Sequence, residues 1–145
     1  MSDGTKPRVL LVDDEEKFLD VLSRRLGTHG IDADTAASGE EALTKTKGKN
    51  VDVIILDVMM PGIDGIETLK RIRQENPEVQ IIMLSGQSNI EKAVNAMKEG
   101  AIDFLEKPVD IGKLMEKIEK AGQKKTLLMT KNIEEKVKGI VMRRP

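Results

Sequence analysis

The sequence predicts an α/β protein: a doubly wound, five-stranded parallel sheet with helices on both faces, followed by a C-terminal helical extension. Three observations carry that expectation. Short apolar runs of strand length recur along the chain with amphipathic helical patterns between them. Three of the runs are apolar at nearly every position, as a parallel sheet covered on both faces demands, because both alternating rows of side chains are then buried. Strand and helix patterns alternate, and a repeated βα unit with right-handed crossovers puts helices on both faces of one sheet.

The expected strands run from Val9 to Val12, Ile31 to Thr35, Val53 to Leu56, Val79 to Leu84 and Ile102 to Leu105. The second and fifth are more mixed and suit the edges. Phe18, Leu19, Val21, Leu22 and Leu26 form a helical stripe after the first strand. Ala42, Leu43 and Thr46 make a shorter one, opened by a capping box of Ser38 with Glu41 three residues on. Ile66, Leu69 and Ile72 mark a third helix, closed by Asn76-Pro77, and Val94 with Met97 a fourth. A fifth carries Ile111, Leu114, Met115 and Ile118 until Gly122 interrupts it. Beyond Gly122 the apolar stripe resumes at Leu127-Leu128-Met129, Ile133, Val137, Ile140 and Val141. The chain thus divides into a disordered N-terminal end (1–7), one domain (8–121) and a basic amphipathic extension or linker (122–145).

Composition narrows the function. A length of 145 residues suffices for one core and not for two substantial ones. With two Phe, no Trp and no Tyr the chain lacks the aromatic platforms of a base-stacking surface, and its net charge of −1 also argues against direct nucleic-acid binding. The extension holds seven Lys or Arg against two Glu, so it carries +5 against −6 for the rest. That short basic stretch is thin support for nucleic-acid or membrane contact. Cysteine is absent, which removes disulfides and thiolate sites. No apolar run approaches the roughly 20 residues of a membrane span, and the first residues lack a leader's apolar segment. The expected location is the cytoplasm.

A doubly wound sheet binds ligands at the carboxyl ends of its strands, where strand order reverses. Asp13-Asp14, Asp57, Ser85-Gly86 and Lys107-Pro108 all fall at or just after predicted strand ends. Asp13 and Asp14 can instead be read as caps of the following helix, but one cap needs only one acid. If the acids converge, bare carboxylates about 4 Å apart repel by roughly 4 kcal/mol per pair at an effective dielectric near 20, so a cation must sit among them. Oxygen ligands of this kind suit magnesium better than zinc. His29, the only histidine, lies in a turn and reads as a surface residue. Lys107 can grip an anion that reaches the cluster, and Ser85 can donate to it. A carboxylate, a divalent cation, a lysine and a hydroxyl are the parts of a phosphoryl-transfer site. Asp57, central and followed by the turn Pro61-Gly62-Ile63-Asp64-Gly65, is the expected acceptor.

Leu11-Val12-Asp13-Asp14-Glu15, Leu56 through Gly65, Leu84-Ser85-Gly86 and Gly100 through Pro108 together resemble the response-regulator receiver family of two-component signalling, whose fold is flavodoxin-like. The likeness runs from about Arg8 to Ala121, and separated motifs in the right order make it specific. The resemblance implies that Asp57 takes a phosphoryl group from a sensor histidine kinase or phosphotransfer protein. It implies Mg2+ (or Mn2+) held by Asp14 and Asp57, by Asp13 mainly through water, and by the Met59 backbone carbonyl. Ser85 and Lys107 would contact the phosphoryl oxygens, and Ser85 with Phe104 would form the switch. A cis peptide is implied at Lys107-Pro108, and Met59 and Gln87 would tune phosphate lifetime. Output would pass through the fourth helix, fifth strand and fifth helix, near Ile90, Val94, Phe104, Leu114 and Lys117, to a downstream effector or a self-dimer. Such a protein is not an enzyme, since it catalyses only its own phosphorylation and dephosphorylation. Phe104 stands where Tyr is common, so a phenolic output contact is missing.

Two rival classes fit less well. A haloacid-dehalogenase-like phosphatase resembles an Asp-x-Asp-x-Thr pattern that Asp13-Asp14-Glu15 breaks. A flavin carrier needs a Ser/Thr/Gly-rich phosphate loop after the first strand, and acids stand there instead. The motifs at 85–90 and 101–108 further resemble receivers of nitrogen-regulator type, so the chain can also be read as the receiver fragment of a larger transcription factor, or as a phosphorylation-independent interaction module. The extension can pack on its own domain, join a partner helix or lead into a further domain.

Overall fold

The computed structural model describes residues 6–48, 50–86 and 89–142, with the side chains of 140–142 outside the description. Strands β1 (Val9–Val12), β2 (Ala33–Ala36), β3 (Val53–Asp57), β4 (Gln80–Ser85) and β5 (Asp103–Glu106) alternate with helices α1 (Glu16–Thr28), α2 (Gly39–Gly48), α3 (Gly65–Glu75), α4 (Ile90–Lys98) and α5 (Ile111–Met142). All strand pairs are parallel, in the order β2-β1-β3-β4-β5. The two mixed strands occupy the edges. Strand order reverses between β1 and β3, which opens a crevice beyond their carboxyl ends.

The continuous apolar runs are explained by two cores. Leu10, Val12, Ile54, Leu56, Ile81 and Met83 face Leu69 and Ile72 of α3 and Ala93 and Ala96 of α4. Their neighbours Val9, Leu11, Val53, Ile55, Ile82 and Leu84 face Leu19, Leu22 and Leu26 of α1 and Leu114, Ile118 and Ala121 of α5. Every one of these side chains is buried, and alternation along each strand supplies both faces at once. The capping box at α2 forms with a shift: the Glu41 N–H donates to Ser38 Oγ at 3.1 Å, while Glu41 Oε1 accepts from the Ala37 N–H at 2.9 Å.

Several expectations are corrected. Val21 is on the outer face of α1, 55% exposed. Val94 and Met97 also point outward, because α4 lies so close to the sheet that it buries Ala93 and Ala96 instead. Leu114, expected on the output surface, is fully buried beneath α5. β2 starts at Ala33 rather than Ile31. Pro7, assigned to a disordered end, is half-buried against α5.

Gly122 does not interrupt α5, which runs for 32 residues. Its role is close approach: a Cβ there would come within 3.1 Å of the Pro7 side chain. One turn later, Lys125 is buried and gives its Nζ to Asp52 Oδ1 at 2.6 Å and to the Val51 carbonyl at 3.3 Å. The other Asp52 oxygen accepts from the Arg8 N–H at 2.8 Å. Asn132 reaches Glu78 Oε1 at 3.2 Å. The first part of the extension is thus tied to the amino-terminal end of the sheet, while Leu127, Met129, Ile133 and Val137 stay exposed. None of the described helices is long and apolar enough to cross a membrane.

Removing one member of a buried ion pair leaves the other uncompensated, whereas an apolar replacement of similar length keeps the packing. Lys125→Ala is expected to lower stability by about 2 kcal/mol in urea unfolding, and Lys125→Met by less than about half as much. Equal losses would mean that the ion pair with Asp52, and not the packing of the lysine stem, accounts for the effect.

Candidate phosphoacceptor site

The crevice at the β1/β3 switch point collects the acidic residues. Asp13 follows β1 and is held there by backbone pairing, its N–H donating to the Ala36 carbonyl at 3.1 Å. Its Oδ1 accepts from the Glu15 N–H at 2.9 Å, so it does cap the turn into α1. Asp57 ends β3, and its Oδ1 accepts from the Met59 N–H at 3.3 Å. Asp13 and Asp57 are buried and Asp14 is exposed, yet each offers a carboxylate oxygen within 4.8 Å of the others. Asp13 thus serves both the turn and the cluster, whereas Asp14 belongs to the cluster and the N-cap of α1 is Glu15, which makes no side-chain cap bond.

Gly65 lets the chain after β3 fold back tightly. A Cβ on it would collide with the Asp57 carbonyl oxygen and with the Val58 backbone, and its N–H donates to the Val58 carbonyl at 3.0 Å. Asp64 then caps α3, accepting the Glu67 N–H at 2.9 Å. Gly62, at φ +78°, supplies the left-handed residue of the turn.

Lys107 enters from the far side. Its N–H donates to the Ser85 carbonyl at 2.9 Å, and the Lys107-Pro108 peptide is cis. The ammonium lies 2.6 Å from Asp13 Oδ2, 3.6 Å from Asp57 Oδ2 and 3.7 Å from Glu15 Oε1. It also sits 4.5 Å from the centre of the Phe18 ring. Burial lowers the pKa of Lys107, but the Asp13 hydrogen bond and the charges of Asp57, Asp13 and Glu15 outweigh it and leave the pKa raised. Ser85 is fully buried and donates its hydroxyl to the Gly86 carbonyl at 2.9 Å. Phe104 is half-buried against the core beside α4. Met59 is exposed at the mouth, with Lys92 Nζ of α4 3.1 Å from its sulfur. Gln87 lies outside the described residues.

Among the described residues, the carboxylates of Asp13, Asp14 and Asp57, with Glu15 at the rim, outnumber the Lys107 ammonium and leave an excess of negative charge. Burial pushes the Asp57 carboxyl up to about 6, helped by the Asp13 and Asp14 charges and opposed by Lys107 and the Met59 N–H. The donor set consists of hard oxygens, which fits magnesium or manganese. The sequence placed every acid of this cluster but assigned no contact to Glu15, Phe18 or Lys92. The helical spacing of Phe18 matches the apolar stripe and points to the core, and no pattern in one sequence announces a ring beneath a lysine.

A five-stranded parallel sheet with an acidic cluster and a cis Lys-Pro at its carboxyl edge describes a signalling receiver. The profile of the response regulator receiver domain matches residues 9–119, and the chain belongs to that family. It is 40% identical over 113 residues to the transcriptional regulatory protein ZraR of Salmonella typhimurium, covering 78% of this chain and 26% of the relative. The chain thus spans about a quarter of the length of that curated relative. Among solved structures, the receiver domain of NtrX from Brucella abortus is 34% identical with a TM-score of 0.76, covering 79% of this chain and 98% of that one. A chain of adenylate cyclase from Rhodopirellula baltica is 32% identical with a TM-score of 0.84, covering 90% and 98%. The protein is a receiver domain of the two-component response-regulator kind, close to receivers of the ZraR and NtrX type.

The raised Asp57 carboxyl has a consequence for stability. An unfolded aspartate titrates near 3.9, so the folded chain holds this proton more tightly. The stability it contributes is complete below about pH 4 and is lost as the pH rises through about 6. Without divalent metal at about pH 7.5, Asp57→Asn is expected to stabilise the fold by on the order of 2 kcal/mol, a gain that shrinks as the pH falls toward about 4. Urea titrations across that range check it; a gain that ignores pH would contradict the assignment.

Proposed function

We propose that the protein accepts a phosphoryl group on Asp57 from a phosphohistidine of a sensor histidine kinase or phosphotransfer protein, in a magnesium-dependent reaction, and thereby switches a protein-interaction surface. The observation that carries this reading is the convergence of Asp57 with Asp13 and Asp14 on one side and Lys107 on the other, on a chain of the receiver family.

An Asp57 carboxylate oxygen attacks phosphorus; the new P–O bond forms as the P–N bond to imidazole breaks, and the departing imidazole takes up a proton. Asp14, Asp57 and the Met59 carbonyl would hold Mg2+ or Mn2+, with Asp13 reached mainly through water. The bound ion would neutralise charge on the transferred group. Lys107, 3.6 Å from Asp57, is placed to grip a phosphoryl oxygen. Ser85 would exchange its bond to the Gly86 carbonyl for one to the phosphoryl group, and Phe104 would follow into the space that this opens. Moving a two-state population from 1:99 to 99:1 takes about 5.5 kcal/mol, which a few charge-assisted hydrogen bonds at roughly 1.5 to 3 kcal/mol each supply. The exposed Val94 and Met97 on α4, with β5 and α5, form the surface offered to an effector or a second copy. The chemistry is self-limited: the protein turns over its own acyl phosphate and no other substrate, in the cytoplasm where a kinase has ATP.

The likeness to the receivers of ZraR and NtrX supports an alternative reading, in which residues 8–121 are the receiver of a larger nitrogen-regulator-type transcription factor and 122–145 its extension or linker. Met59 and, by sequence position, Gln87 would tune phosphate lifetime.

Incubation with acetyl phosphate and magnesium is expected to add the mass of one phosphate, stable to acid and labile to base. Chelator or Asp57→Asn abolishes the gain, and Lys107→Ala lowers its rate by about 10-fold or more. No gain in any condition would leave a phosphorylation-independent interaction module.

A further inference from the structure

Phe18 and Phe104 are the chain's only aromatic residues. One of the two lies beneath the ammonium of the site lysine, with Lys107 Nζ 4.5 Å from the Phe18 ring centre. A ring face attracts a cation at this distance. The other partners of Lys107 are the carboxylates of Asp13, Asp57 and Glu15. In the reaction proposed above, two of those three would change state: Asp13 would serve bound Mg2+ or Mn2+, mainly through water, and Asp57 would become an acyl phosphate. The ring does not change. It is also fixed from below, since Phe18 packs on the core that holds Leu19, Leu22 and Leu114.

A lysine stem is flexible and has rotamer entropy to lose when its ammonium is held. An ammonium released by Asp13 would spread over those rotamers unless something other than a carboxylate restrained it. We propose that Phe18 is a positioning residue for the phosphoryl-transfer site: its ring holds the Lys107 ammonium in place through the exchange of Lys107's partners from carboxylates to phosphoryl oxygens. The proposal rests on the phosphoacceptor reading of Asp57 and adds to it a residue that touches neither metal nor phosphate. A plain core role would need only apolar bulk at this position, whereas positioning needs a ring.

The neighbourhood allows that distinction to be tested. A cavity of about 490 Å³ bounded by Phe18, Val21, Leu22, Arg25, Lys107 and Val109 adjoins the ring and has room for a larger one. Because the chain has no Trp or Tyr, Phe18→Trp also introduces a lone fluorophore against the ammonium. Phe18→Leu keeps the apolar contact and removes the ring. The rate of phosphate gain from acetyl phosphate is expected to fall about fivefold in Phe18→Leu and to stay within about twofold of the parent in Phe18→Trp. The Trp emission should differ between Phe18→Trp and the Phe18→Trp, Lys107→Met double variant, which lacks the ammonium over the ring, and should keep its value in Phe18→Trp on phosphorylation, because the ammonium stays over the ring.

Thermal unfolding midpoints of the single variants within a few degrees of the parent keep the comparison one of rate and not of folding. A Phe18→Leu protein that gains phosphate at the parent rate, or one in which Trp fails to restore the loss, overturns the positioning role while leaving Asp57 as acceptor. A parent protein that gains no phosphate overturns the acceptor reading, and this inference with it.

Discussion

The site depends on the mutual repulsion of Asp13, Asp14 and Asp57. Carboxylates whose oxygens lie within 4.8 Å of one another, two of them buried, are unfavourable unless a cation is shared among them. Lys107 supplies part of that charge from across the crevice, at 2.6 Å from Asp13 and 3.6 Å from Asp57. Burial, reinforced by the charges of Asp13 and Asp14, still leaves the Asp57 carboxyl raised. Such an arrangement is poor for stability and good for capturing a divalent cation and then an anion. Other features serve to hold it: the backbone pairing of β1 and β3, the close passage of Gly65 over the Asp57 carbonyl, and the Lys107 N–H on the Ser85 carbonyl.

The opposite end of the sheet carries a contrasting ion pair. Lys125 and Asp52 form a balanced couple, with the Val51 carbonyl and the Arg8 N–H satisfying what the pair leaves over. α5 connects the two ends: it begins shortly after Lys107 and is fastened by Lys125 at the base. The helix is fastened at its base and begins beside the site, and its exposed residues Leu127, Met129, Ile133 and Val137 extend past the fastening point.

Much of this was readable from residues alone. The strands were visible because a sheet buried on both faces needs runs such as Val53-Ile54-Ile55-Leu56, and the site because polar residues stood at the ends of those runs. The errors came from helices. In α4 the larger residues Val94 and Met97 looked like the inner face, but close packing on the sheet favours the small Ala93 and Ala96. Gly122 looked like a break because propensity disfavours glycine in helices, yet its lack of a side chain admits Pro7. Phe18 matched the apolar period and was absorbed into the core, although its ring also faces Lys107. Period detects burial; it is blind to which atom lies above a ring or beside a backbone.

In the proposed reaction the charge of this cluster is organised around one nucleophile, Asp57. Borohydride reduction of the protein after treatment with acetyl phosphate and magnesium converts an aspartyl phosphate into homoserine, which peptide sequencing locates. Homoserine is expected at position 57 alone. Homoserine at position 13 or 14, or at no position in a protein that had gained phosphate, would contradict it.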